Sequence, residues 1–276
     1  MKKILLVIAI AISHFSYAQN LNTPQPSTTQ TIKQNFGLSS IELSYSRPNA
    51  KGRKVVGDLV PFEKVWRTGA NQATTLNFGD DVTIGDKKVP AGKYGLVSIP
   101  GKDAWTLIIT KQLDVTSPAA YKQENDVVRV SVKPVALSSK VETFTMQFAN
   151  VKASSCDLNL QWENTSVSLP ISTDVDTKIM AQISDIMTKD NLPYFGAGMY
   201  YLESGKDLNQ ALTWFDKAAA QNPNAYWVFH QKANCLVKLG KKKEAIEAAT
   251  KSRELAVIGK NTDYVKLNDD LIKSLK

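Results

Sequence analysis

Histidine and cysteine are nearly missing from this 276-residue chain, which holds two of each. His14 lies among the first 18 residues, and residues 19–172 contain no histidine. Their single cysteine, Cys156, alternates within a strand-like run. A Ser-His-Asp or Cys-His arrangement cannot be assembled in that region, and a zinc site would lack both of its preferred ligand types. His230, between Phe229 and Gln231 in a helical pattern, reads as structural. Cys156 and Cys235 read as small buried thiols, although sequence alone leaves a disulfide between them open. No cofactor and no metal set is expected, and the catalytic residues, if there are any, are unknown.

A membrane-spanning run is also lacking. The apolar stretch Ile4–Ile12 is too short for a hydrocarbon core of roughly 30 Å. It follows Met1-Lys2-Lys3 and precedes Ser16-Tyr17-Ala18, the pattern of a secretory signal peptide, with cleavage expected after Ala18. The residue after that point is Gln19 and not a cysteine that could carry a lipid. The expected destination is the periplasm or the cell surface, with no integral membrane anchor. The formal charge of +8 becomes +6 once Lys2 and Lys3 are removed. For an exported protein such a balance points to anionic glycans, metabolites or surfaces rather than to nucleic acid.

What is present begins with a polar, proline-bearing lead-in over residues 19–30. Period-two alternation then dominates. Ile41, Leu43 and Tyr45 share a face, as do Trp105, Leu107 and Ile109, then Val128, Val130 and Val132. Phe144, Met146 and Phe148 follow, and then Leu158, Leu160 and Trp162. Val82–Ile84 and Lys87–Val89 flank Gly85-Asp86, a hairpin signal. Eight to ten such strands predict an antiparallel β-sandwich or barrel over residues 31–172. Leu113–Asn125 carries the weakest pattern and reads as a loop.

From residue 173 to 276 the period becomes helical. Asp174 can cap a helix bearing Val175, Ile179, Ile183 and Ile186. Ala197, Gly198, Tyr201, Gly205, Ala211, Phe215, Ala218 and Pro223 form one unit. Ala233, Leu236, Gly240, Ala245, Ala249 and Ser252 form a second, displaced by 34–35 residues, and Tyr264–Leu275 reads as a capping helix. This period, with small residues where helices cross, resembles the tetratricopeptide repeat. The resemblance implies helical hairpins and a protein-binding role. Two units are fewer than the roughly three a solenoid needs, so the block is expected to lean on the sandwich or on a second copy. The fold class expected is α+β in separate domains.

The chemistry concentrates in Tyr45–Asn71. Three of the five arginines, Arg47, Arg53 and Arg67, lie there with Lys51, Lys54 and Lys64, against the two acids Asp58 and Glu63. Residues 19–172 hold 17 cations and 13 acids, and this stretch supplies the whole excess. Guanidinium forks bind carboxylate, phosphate or sulfate, and Gly-rich turns expose backbone N–H groups to the same anions. Trp66 beside Arg67 can stack on a ring. The candidate ligand-binding set is therefore Arg47, Lys51, Arg53, Trp66, Arg67 and Asn71. The competing reading has these arginines stapling loops to carbonyls or to Glu63, Asp80 and Asp81, with Trp66 in the core. Asp80-Asp81 and Asp86 read as solvated turns rather than a calcium or acid–base site.

The segments YSRPNAKGR, GDLVPFEKVWRTGANQATTLNF and PAGKYGLVSIPGKDAWTLI are similar to the domain-of-unknown-function family numbered 2911, over about residues 25–172. That resemblance implies an exported β-rich domain, in several members followed by tetratricopeptide-like repeats, and it implies no activity. Where other members often have Glu after RTGAN, this chain has Gln72. Three functions remain open: an exported protein binding an anionic glycan or metabolite, with the repeats contacting a protein partner; a hydrolase or lyase using Glu63 or Asp80 with the arginines; and a purely structural envelope module.

Overall fold

The computed structural model describes residues 23–187 and 192–276. The expected signal peptide and its cleavage point lie outside these residues. The chain divides into two compact units, Met1–Val175 and Asp176–Lys276.

In the first unit every alternating run is a strand. The strands are β1 Thr28–Phe36, β2 Ser39–Arg47, β3 Thr75–Phe78, β4 Val82–Ile84 and β5 Lys87–Val89. They continue with β6 Gly92–Ile99, β7 Trp105–Thr110, β8 Asp126–Val132, β9 Val135–Ala149 and β10 Ser155–Ser172. They form two antiparallel sheets, ordered β1-β2-β3-β6-β7-β8 and β5-β4-β10-β9. The sheets remain open, so the architecture is the sandwich and not the barrel. Their inward residues form one core, from Ile41, Leu43 and Tyr45 on β2 to Phe144 and Met146 on β9 and Leu158 and Leu160 on β10. Tyr45 also ties the layers by hydrogen bonds, donating to Met146 O and accepting from Met146 N at 2.8 Å. Burial raises the pKa of its phenol.

Thr28, Thr29 and Gln30, expected in the lead-in, are the first residues of β1. Their pairing with β2 is polar, with Thr29 and Ser46 hydroxyls 3.1 Å apart and Thr31 donating to Ser44. The core-facing side of this edge strand holds Gln30 and Gln34 beside Ile32 and Phe36, so little hydrophobic alternation betrays it. Leu113–Asn125 is a loop apart from two short 3₁₀ turns, Pro118–Ala120 and Gln123–Asn125. It covers the outer face of β6 and β7, where Val115 packs with Val97 and Ile108.

The helices are α1 Val175–Ile186, α2 Tyr194–Glu203, α3 Leu208–Gln221, α4 Tyr226–Lys238, α5 Lys242–Ile258 and α6 Thr262–Ser274. Consecutive helices from α2 to α6 pack against one another. The residues expected at helix crossings are buried, among them Ala211, Phe215, Ala233, Ala245 and Ala249. Gly205 and Gly240, at φ 66° and 74°, end α2 and α4 in the left-handed region. His230 is buried, with Nδ1 2.9 Å from Asn268 Oδ1. Asn268 Nδ2 donates to Tyr264 O, an acceptor only, so Oδ1 faces the imidazole and Nδ1 carries the proton. Among the described residues no helix is long and apolar enough to cross a membrane.

Candidate functional site

The connection from Arg47 to Thr75 leaves the sheet ladder and runs through turns, as its glycines and prolines predict. Isolated bridges moor it to both sheets: Asn49 to Thr143 on β9, and Trp66 to Ser98 on β6. Trp66 N donates to Ser98 O at 2.7 Å and Ser98 N returns a bond to Trp66 O at 2.9 Å. This anchoring drives the Trp66 indole among core aromatics. It lies 5.8 Å from Trp162 at an interplanar angle of 21°, and meets Phe144 and Trp105 edge-on. Its Nε1 donates to Gly69 O.

Beyond Trp66 the backbone is strained. Thr68 has φ 56° and Asn71 φ 52°. A β-branched residue in the left-handed region costs roughly 1–3 kcal/mol and persists only where its surroundings hold it. Here Thr68 Oγ1 donates to Ser98 Oγ at 2.9 Å, Thr74 Oγ1 donates to Thr68 O at 2.7 Å, and all three residues are buried. The strain sets the backbone immediately after Arg67.

The three arginines are used differently. Arg47 spends its side-on fork on β9, Nε to Phe144 O at 3.2 Å and Nη2 to Thr145 Oγ1 at 2.9 Å. Arg53 spends the same fork on its own turn, Nε to Ala50 O and Nη2 to Asn49 O, at 2.9 and 2.8 Å. Arg67 donates Nη1 to Thr116 O. Its side-on fork, Nε with Nη2, has no protein partner among the described residues. None of the three pairs with Glu63, Asp80 or Asp81. Asp81 instead accepts from Ala91 N at 2.9 Å, across the open end of the β4–β5 hairpin.

Arg53 and Arg67 border a surface cleft of about 460 Å³, floored by Val60, Val65, Trp66 and Trp162 and edged by Thr116, Ser117 and Pro118. Among the described residues no Asp, Glu, His or Cys lines it. The structure thus brings Arg53, Trp66 and Arg67 together. It leaves Arg47, Lys51 and Asn71 off the cleft lining: Lys51 is held by its backbone N–H to Glu142 Oε1 with its side chain exposed, and Asn71 Nδ2 donates to Ser27 O at 2.8 Å. Trp162 and Thr116–Pro118 were not legible as site residues. Trp162 alternates like any core strand residue, and the 113–125 loop has no motif. Behind Trp66 and Trp162 lies an internal cavity of about 10 Å³, near the size of one water. Trp105, which lines it, has a buried Nε1 without a hydrogen-bond partner.

A larger groove, about 640 Å³, is lined by β4 and β10 residues with Val151 and Lys152, and offers neither arginine nor aromatic ring. Among the described residues no group of three His, Cys, Asp or Glu side chains could hold a metal. Both cysteines are free and buried, and burial followed by the Asp157 charge pushes the Cys156 thiol up to about 11.

The model of the family described as "Protein of unknown function (DUF2911)" matches residues 27–171, more than half of the chain and nearly the whole sandwich. The chain belongs to this family. No curated protein and no solved structure matches it. The matched span of this family member contains Arg53, Trp66, Arg67, Thr116 and Trp162, so both sides of the cleft fall within it.

Proposed function

We propose that this protein is an exported binding protein whose β unit recognises an anionic ligand, a glycan or a metabolite, in the Arg53–Arg67 cleft. The observation that carries this reading is the open Nε/Nη2 fork of Arg67 on a cleft with an aromatic floor and, among the described residues, no lining carboxylate. A guanidinium with its fork unspent is matched to a planar anion. The absence of lining acids also favours binding over the hydrolase or lyase reading, which needs an acid–base pair. Export rests on the Met1–Ala18 leader, and the helices, read as tetratricopeptide-like hairpins, serve a protein partner.

The test compares two variants. Arg67→Gln should weaken binding of an anion by about 10- to 100-fold, the equivalent of one lost charge-assisted pair, and shift the melting temperature little. Arg47→Gln should leave binding unchanged. A large loss of stability in Arg67→Gln, with no ligand found for the unaltered chain, would instead identify the arginines as staples.

A further inference from the structure

The cleft is unevenly furnished, and that unevenness selects among anions. Arg53 has already committed its side-on fork, Nε and one Nη2 hydrogen, to backbone carbonyls, leaving its end-on Nη1/Nη2 edge. Arg67 offers one complete side-on fork. One fork matches the two oxygens and single charge of a carboxylate. A phosphate group brings three oxygens and about two charges, for which the lining offers no lysine among the described residues. The rest of the surface is largely apolar: Leu59, Val60, Pro61, Val65, Trp66 and Trp162. Hydroxyl-bearing side chains are limited to Ser27, Thr116 and Ser117. A hydroxylated sugar acid seated here would strand most of its hydroxyls against hydrocarbon, which disfavours it.

Building on the anion-binding reading, we infer that the ligand is a small carboxylic acid with an apolar, ring-bearing body. Its carboxylate lies across the Arg67 fork and its ring rests on the Trp66–Trp162 floor. Small-ligand sites of this kind combine an apolar pocket with a few oriented polar groups. Leu59, an exposed apolar side chain at 39% of its surface, gains cover when the ring is bound.

The experiment uses the full chain, with tryptophan fluorescence and calorimetric titration as readouts. The probes are 3-phenylpropionate, its uncharged amide, glucuronate and inorganic phosphate. 3-Phenylpropionate should bind at least 10-fold more tightly than each of the other three, and Arg67→Gln should abolish the acid-over-amide preference. The acid–amide comparison on the unaltered chain needs no variant to fold. Tighter binding of glucuronate or phosphate would overturn this inference and leave the anion-binding reading intact. If none of the anions binds, both fall. Equal binding of acid and amide would overturn both as well, because the arginine fork would then contribute nothing.

Discussion

Arg47, Arg53 and Arg67 are chemically identical and lie within 21 positions of one another, yet each has a different set of neighbours. Arg47 is half-buried and joins β2 to a backbone carbonyl and a hydroxyl of β9. Replacing it by Ala should lower stability by about 1–3 kcal/mol in urea unfolding, because Phe144 O loses a charged donor. Arg53 is exposed and bonded locally, so the same replacement there should cost less than about 1 kcal/mol. The sequence marks all three residues as one cationic set. It cannot say which forks are spent, since their acceptors lie up to 98 positions away. Tyr121 makes a second residue-scale case. Burial first, then its hydrogen bond to Asp126 at 2.5 Å, pushes its phenol up to about 12 from an ordinary 10.0. The folded state therefore favours the neutral phenol. The associated stability is fully present below pH 10 and is lost as pH rises through about 12. An ultraviolet phenolate titration should show Tyr121 ionising late, as buried Tyr45 also does, and Asp126→Asn should bring the Tyr121 midpoint down.

Among the elements, the hairpin between β1 and β2 shows how a local choice is set by distant packing. Its two-residue turn, Gly37-Leu38, places Gly37 at φ 59°. A Cβ there would stand 2.7 Å from Thr173 Cγ2, at the far end of the sandwich sequence. Gly37→Ala therefore combines a left-handed backbone with a steric clash, and should destabilise the chain by more than the roughly 1 kcal/mol typical of the backbone term. Thermal unfolding checks this. Strand existence was legible from alternation wherever one face is buried, as in β2, β7, β9 and β10. It was not legible at β1, where Gln30 and Gln34 share the core-facing side with Ile32 and Phe36 and blur the period. The site-bearing connection was legible as turns, because Gly and Pro act locally. Its partner in the cleft, Thr116–Pro118, has no local signature, and only Arg67's bond to Thr116 O reveals it.

At the scale of the molecule, each compact unit has its own core. The helical unit also contains a buried polar chain: His230 to Asn268, Asn268 Nδ2 to Ser252 Oγ at 2.9 Å, and Ser252 Oγ to Tyr226 O at 2.7 Å. It links α4, α5 and α6, and every donor and acceptor named in it is matched. Asn268→Ala would strand His230 Nδ1 and leave a void, so the helical unit should lose at least about 2 kcal/mol. Differential scanning calorimetry should show this loss while the sandwich core keeps its own stability. An Asn inside the polar run Lys266-Leu267-Asn268-Asp269-Asp270 gives no hint of such a role.

What the sequence determined by itself was whatever acts through neighbours: strand and helix periods, turn residues, the absence of histidine chemistry in the β unit, and the family motif around Arg67. Tertiary structure decided what depends on groups brought together from far along the chain. It closed the choice between sandwich and barrel by leaving both sheets open. It also separated one arginine with an open fork from two whose forks are satisfied. The physical reason is that a guanidinium's availability is set by the acceptors within about 3 Å of it, and those come from β9 for Arg47, from the loop after β7 for Arg67, and from the folded turn itself for Arg53.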